Sequence, residues 1–221
     1  MSKFPNFINQ DLLDTALTHR SALNEKVSNS KESNERLEFL GDAVLELITT
    51  KYLYFNFPKE PEGVLTAYRS SLVKTTTLAT VSARLGLGKK LFMSKGEEAT
   101  GGRENIGLLA DSFEALIGAL YLDQGLEQVE RFLEENLFIE FPRIRREKLY
   151  QDNKSLLQEI VQAKGFDTPT YRVISETGPD HDKEFTVEVM ISENSKGKGA
   201  GKSKQEAQQA AAKEALGKYT K

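Results

Sequence analysis

Three carboxylates in Asn34-Glu35-Arg36-Leu37-Glu38-Phe39-Leu40-Gly41-Asp42 and two in Asp111-Ser112-Phe113-Glu114 are the residues best placed to do chemistry in this chain. At about 100° per residue, Glu35, Glu38 and Asp42 fall within roughly 60° of one another on a helix and form one acidic stripe. Leu37, Leu40, Val44, Leu45 and Ile48 build an apolar face beside it. Asp111 and Glu114 stand three apart inside the apolar run 106–122, on a second helix otherwise suited to burial. Like charges about 4 Å apart repel by roughly 4 kcal/mol at an effective dielectric near 20. Raised pKa values or a bound cation must offset that repulsion.

The remaining inventory narrows the chemistry. With two His and no Cys, a zinc site or a Ser/Cys–His nucleophile would have to be built from almost nothing. Oxygen-only ligands suit hard cations, Mg²⁺ or Mn²⁺. The alternative is that these acids are surface carboxylates paired with Arg36, Arg69 or Lys74. Gly86-x-Gly88 before Lys89-Lys90 lacks the full phosphate-loop pattern. Gly101-Gly102-Arg103 reads as a flexible connection, and Thr18-His19-Arg20-Ser21 as the capped or packed end of a first helix.

Periodic apolar residues predict helices over 11–23, 35–54, 64–85, 111–122 and 126–138, with breaks at Pro58–Pro61, at Gly86/Gly88 and in a polar loop over 95–102. After Pro142 the chain turns charged, then polar. A different pattern follows: a short amphipathic helix over 154–164 closed by Gly165, strands over 171–175 and 185–191, and a weaker strand over 196–201. An alanine-rich helix from Ser203 to about Lys218 ends it, with Ala207, Ala210, Ala211 and Ala215 facing inwards. The expected organisation is multidomain: an all-α domain over 1–148, a linker over 149–153, and a small α+β module in α-β-β-β-α order over 154–221.

Composition sets the outer bounds. Hydrophobic content of 38% with no run near the roughly 20 apolar residues of a spanning helix argues against a membrane protein. The segment MSKFPNFINQ shows no secretory signal, and the absence of cysteine suits a reducing cytoplasm. The net charge of −3 hides an uneven distribution: residues 196–221 hold seven Lys and two Glu. A local basic cluster can bind phosphate on a protein of any net charge, although a solvated helix face reads the same way.

NERLEFLGD at 34–42 resembles the hallmark of the bacterial ribonuclease III family in all nine residues. LADSFEALIGALYLD at 109–123 is similar to the family's second acidic helix, ALTHRS at 16–21 to its opening helix, and KGEEATGGREN at 95–105 to its glycine-containing loop. GPDHDKEF at 178–185 and GKGAGKSKQEAQQAAAKEAL at 197–216 resemble the family's double-stranded-RNA-binding domain. The resemblance implies an endoribonuclease, an all-α nuclease domain followed by that α+β domain, acting on double-stranded RNA. Glu38, Asp42, Asp111 and Glu114 match the four central carboxylates. Glu38, Asp111 and Glu114 would be the most direct metal ligands, Asp42 an essential neighbouring acid, and Glu35 and Glu62 accessory acids. It further implies Mg²⁺, replaceable by Mn²⁺, with no organic cofactor, and a homodimer with the hallmark helix at its interface. Products would bear 5′ phosphate, 3′ hydroxyl and two-nucleotide 3′ overhangs, and ribosomal RNA precursors would be among the substrates.

In the second domain the resemblance assigns RNA contacts to Gln158 and Glu159 on the first helix and to Pro179 and His181 in the first hairpin. It adds Lys202 and Lys204 at the start of the last helix. The chain departs from the usual pattern at Gln205 and Gln208, where basic residues are common, which weakens the expected grip on phosphate. A competing reading is a non-catalytic double-stranded-RNA-binding or ribosome-associated protein on the same scaffold. All four central acids are present, which argues against it.

Overall fold

The structure is a computed structural model, and it describes residues 4–25, 27–179 and 183–219. The chain forms two compact units, residues 1–150 and 151–221. No helix among the described residues is long and apolar enough to cross a membrane.

The first unit is helical: α1 (Gln10–Ala16), α2 (Ala22–Glu25), α3 (Glu35–Asn56), α4 (Glu62–Val73), α5 (Thr75–Leu85), α6 (Leu87–Lys90), α7 (Lys95–Ala99), α8 (Ile106–Gln124), α9 (Leu126–Asn136) and α10 (Phe141–Arg146). α8 is the central rod. The Asn105 side chain accepts the Leu108 N–H at its start, and Gly125, at φ +80°, ends it. Phe113, Leu116, Ile117 and Leu120 on α8 are fully buried, as is Leu45 on α3. Each such side chain contributes about 1.5–3 kcal/mol by leaving water.

α3 crosses α8 through glycine. A Cβ on Gly41 would lie 1.8 Å from the Glu114 carbonyl oxygen, and one on Gly118 would lie 2.1 Å from that of Leu37. Backbone therefore meets backbone beside the acidic residues, and the carboxylates of the two helices are brought to one place.

Three boundaries differ from the periodic pattern. The expected single helix over 64–85 breaks at Lys74, whose ψ is 147°, and the Thr77 hydroxyl takes up the Ser71 carbonyl at 2.8 Å. The first helix stops at Ala16 rather than running to residue 23. Phe92 N–H donates to Leu17 O (2.8 Å) and His19 N–H to Phe92 O (2.9 Å), so these residues bridge instead of coiling. The loop expected over 95–102 contains α7, capped by Ser94 Oγ accepting the Glu97 N–H. Within the stretch read as a linker, Tyr150 sits edge-on to Tyr68 at 4.6 Å, and Asp152 accepts the Lys154 and Ser155 N–H groups.

The second unit has the α-β-β-β-α order: α11 (Asn153–Ala163), β1 (Thr170–Thr177), β2 (Glu184–Ile191), β3 (Asn194–Gly201) and α12 (Lys204–Tyr219). The sheet is antiparallel in the order β1-β2-β3. Ser192 and Glu193 both have positive φ and form the two-residue turn between β2 and β3. The weakest expected strand is a full one. Gly197, Gly199 and Gly201 alternate toward α12, and a Cβ on them would lie 2.5 Å, 2.1 Å and 2.8 Å from backbone atoms of Ala211, Ala211 and Ala207. Val187, Val189 and Ile191 of β2 pack with Leu157, Val161, Ala207, Ala211 and Ala215. Ala212, rather than Ala210, is the fourth fully buried alanine of α12.

Candidate functional site

Glu38 of α3 and Asp111 and Glu114 of α8 each offer a carboxylate oxygen, and these oxygens all lie within 4.8 Å of one another. All three side chains are half-buried. Asp42, one turn beyond Glu38, is exposed, and its charge bears on both Glu114 and Glu38. Burial foremost, then the charges of Asp42, Glu38, Asp111 and Glu46, pushes the Glu114 carboxyl up to about 7. Glu38 is raised by burial and then by Asp111, Glu35 and Asp42. Burial raises Asp111 as well, opposed by the nearby His19.

No lysine or arginine pairs with this cluster among the described residues. None of the four acids is in an ion pair among the described residues. Arg36 pairs with Glu32 at 3.9 Å and Arg69 with Glu46 at 2.9 Å, so two of the cations that could have neutralised a surface array are engaged with other acids. Three converging carboxylates without cysteine or histidine ligands fit a hard, oxygen-preferring divalent cation.

The two accessory acids part company. Glu35 is exposed, 3.6 Å from Arg20, and lines the same cleft as Glu38 and Asp111. Glu62 begins α4, accepts the Thr66 hydroxyl at 3.0 Å and faces a groove shared with Tyr54 and Arg69. Within one protomer it lies outside the Glu38–Asp111–Glu114 cluster. The cleft also takes in His19, whose place in Thr18-His19-Arg20-Ser21 predicts only a capping or packing role. Nothing local marks it, because its place beside Asp111 depends on a pairing with residues near 92.

In the second unit Gln158 and Glu159 are exposed on α11, and Pro179 is exposed beyond β1. His181 lies outside the described residues. Lys202 is exposed just before α12, and its N–H donates to the Glu206 carboxylate. Lys204, the first residue of α12, has its ammonium 3.2 Å from Glu176 and 5.5 Å from the Phe185 ring centre. Of the two glutamines at habitually basic positions, Gln205 is exposed, whereas Gln208 accepts from Lys154 Nζ at 2.7 Å.

Comparison with known proteins divides the chain in the same place. Residues 9–141 match the family model described as ribonuclease-III-like, and residues 153–219 match the double-stranded RNA binding motif. Similar curated proteins include the Ribonuclease 3 of Geobacter metallireducens, 45% identical over 214 residues, which cover 96% of this chain and 87% of that protein. That of Anoxybacillus flavithermus is 48% identical, with 96% and 89% covered. A solved nuclease domain of ribonuclease III from Campylobacter jejuni, described as flexible in a region involved in dimer formation, superimposes with a TM-score of 0.56 at 40% identity. That match covers 62% of this chain and 92% of the other.

Proposed function

The chain belongs to the ribonuclease III family, and from that premise we propose that it hydrolyses double-stranded RNA with Mg²⁺ held by Glu38, Asp111 and Glu114. It is an endoribonuclease carrying a double-stranded-RNA-binding domain. The observation that carries the proposal is the convergence of those three carboxylates from two helices, with no lysine or arginine paired to them among the described residues.

Held by Glu38, Asp111 and Glu114, Mg²⁺ or Mn²⁺ would supply Lewis-acid and water-activating chemistry at the phosphodiester. The protein's part is to hold ligands in place. Glu38 is fixed by α3, Asp111 and Glu114 by a buried stretch of α8, and the glycine crossing sets the distance between them. Asp42 adds negative charge at the rim, which favours cation capture. Glu35 extends the acidic wall of the cleft. The expected products carry 5′ phosphate and 3′ hydroxyl, with two-nucleotide 3′ overhangs. Precursors of ribosomal RNA in the cytoplasm are the substrates that the family resemblance implies.

A second copy of the chain completes the reading. Phe39, Leu47 and Tyr54 of α3 are 82%, 58% and 65% exposed and recur on one stripe with Ala43. A row of large apolar side chains beside a charged cleft is suited to self-complementary pairing, and it borders the carboxylates. Glu62 would act in the dimer rather than in a single protomer. In the second unit, Gln158, Glu159, Pro179 and His181 would meet minor grooves, and Lys202 and Lys204 the phosphates between them. Incubating a long RNA duplex with Mg²⁺ or with a chelator tests the proposal. Metal-dependent shortening to duplexes with 5′-phosphate ends is expected, and metal-independent cleavage or 3′-phosphate ends would contradict it.

A further inference from the structure

His19 lies between α1 and α2 and lines the same cleft as Glu38 and Asp111. Its backbone is clamped from two sides. His19 N–H donates to Phe92 O at 2.9 Å, and the Thr18 carbonyl accepts the Asn34 N–H at 2.8 Å. Asn34 immediately precedes α3, so the histidine and Glu38 are mounted on one frame.

The ring is also fixed in its tautomer. Ser94 N–H donates to Ser21 Oγ at 2.9 Å, and Ser21 Oγ lies 2.8 Å from His19 Nδ1. The Ser21 backbone N–H also points at Nδ1, at 3.4 Å. A backbone N–H can only donate, so Nδ1 accepts, and the Ser21 hydroxyl directs its own proton to the same nitrogen. With Nδ1 accepting, Nε2 is the ring nitrogen that carries a proton. Among the described residues Nε2 has no hydrogen-bond partner.

A fixed N–H donor without a partner, on the wall of an acidic cleft, serves an oxygen that has no proton of its own to give. Water can donate for itself; a phosphodiester cannot. The geometry points to His19 Nε2–H as a positioning donor to a non-bridging phosphate oxygen of RNA seated in the cleft. This rests on the RNA-cleaving reading above and adds a residue outside the carboxylate set.

The test compares His19→Ala and His19→Gln in the full chain, because a glutamine amide reaches about where Nε2 lies. A hydrogen bond to a charged group predicts that His19→Ala lowers single-turnover efficiency about tenfold and that His19→Gln recovers most of it. Mn²⁺ binding, followed by the paramagnetic resonance of the free ion, and Tm should match the wild type. Sulfur in place of the contacted phosphate oxygen should slow the wild type while adding no further loss to His19→Ala. Equal efficiency of His19→Ala and wild type, a parallel loss of Mn²⁺ affinity or Tm, or additive sulfur effects would each overturn the assignment. A wild type that binds duplex without cutting it would instead sink the RNA-cleaving reading. The same tenfold ratio, then read in RNA affinity, would still decide the role of His19.

Discussion

Gly41 of α3 and Gly118 of α8 stand against each other at the crossing of the two acidic helices. A Cβ on Gly41 would lie 2.9 Å from the Gly118 nitrogen, and one on Gly118 would lie 3.1 Å from the Gly41 nitrogen. The glycine inside the hallmark NERLEFLGD thus has a packing reason: it lets Glu38 come alongside Asp111 and Glu114.

Gly41→Ala should therefore damage both stability and metal capture. The added methyl meets the Glu114 carbonyl, which belongs to backbone and cannot swing aside. Overpacking of this kind costs about 1–3 kcal/mol and moves the helices apart. Urea unfolding should show the loss, together with weaker Mn²⁺ binding. Gly63→Ala is the control: nothing lies within 4 Å of its Cβ, and alanine favours a helix, so unfolding should be unchanged or slightly harder. Equal effects at the two positions would contradict this account.

The acidic cluster predicts a pH dependence whose sign follows from Glu114. Its carboxyl is raised from 4.5 to about 7, chiefly by burial, so the fold favours the protonated form. The metal-free protein should lose stability as pH climbs from about 4.5 through 7, at up to about 1.4 kcal/mol per unit. Glu114→Gln removes that loss and should raise Tm at pH 8 by roughly 2–6 °C without metal, while matching the wild type at pH 4.5. Mn²⁺ requires the carboxylate, so wild-type affinity should climb with pH to about 7 and then level. A lower Tm for Glu114→Gln at pH 8 would contradict the argument.

The glutamines of α12 predict a modest grip on RNA. Gln205 is exposed, so Gln205→Lys adds a phosphate contact without disturbing a neighbour. The slope of log affinity against log salt should steepen by roughly one. Gln208→Lys should help less, because that position already faces Lys154. An unchanged slope for Gln205→Lys would show that this end of α12 does not meet the duplex.

Much of this was legible in the residues. The apolar run of α8 and its Asp111–Glu114 spacing display helix and acidic face together, because a 3.6-residue period writes both locally. That Glu38 meets Glu114 is a long-range fact, and periodicity alone left surface pairing with Arg36 or Arg69 open. β3 read weakly because glycine has little strand preference. Its signal was the alternation of Gly197, Gly199 and Gly201, which makes room for α12 rather than favouring a strand. The break at Lys74 and the cleft position of His19 depend on a side-chain bond to Ser71 and a pairing with Phe92, neither of which leaves a periodic trace.

Cleavage of a long RNA duplex with Mg²⁺ by wild type and by Glu114→Gln tests the central claim most directly. Loss of a direct ligand should slow cleavage by at least about 100-fold while duplex binding through the second domain persists. Equal cleavage by both proteins, or binding without cleavage by both, would contradict a metal site built on Glu38, Asp111 and Glu114.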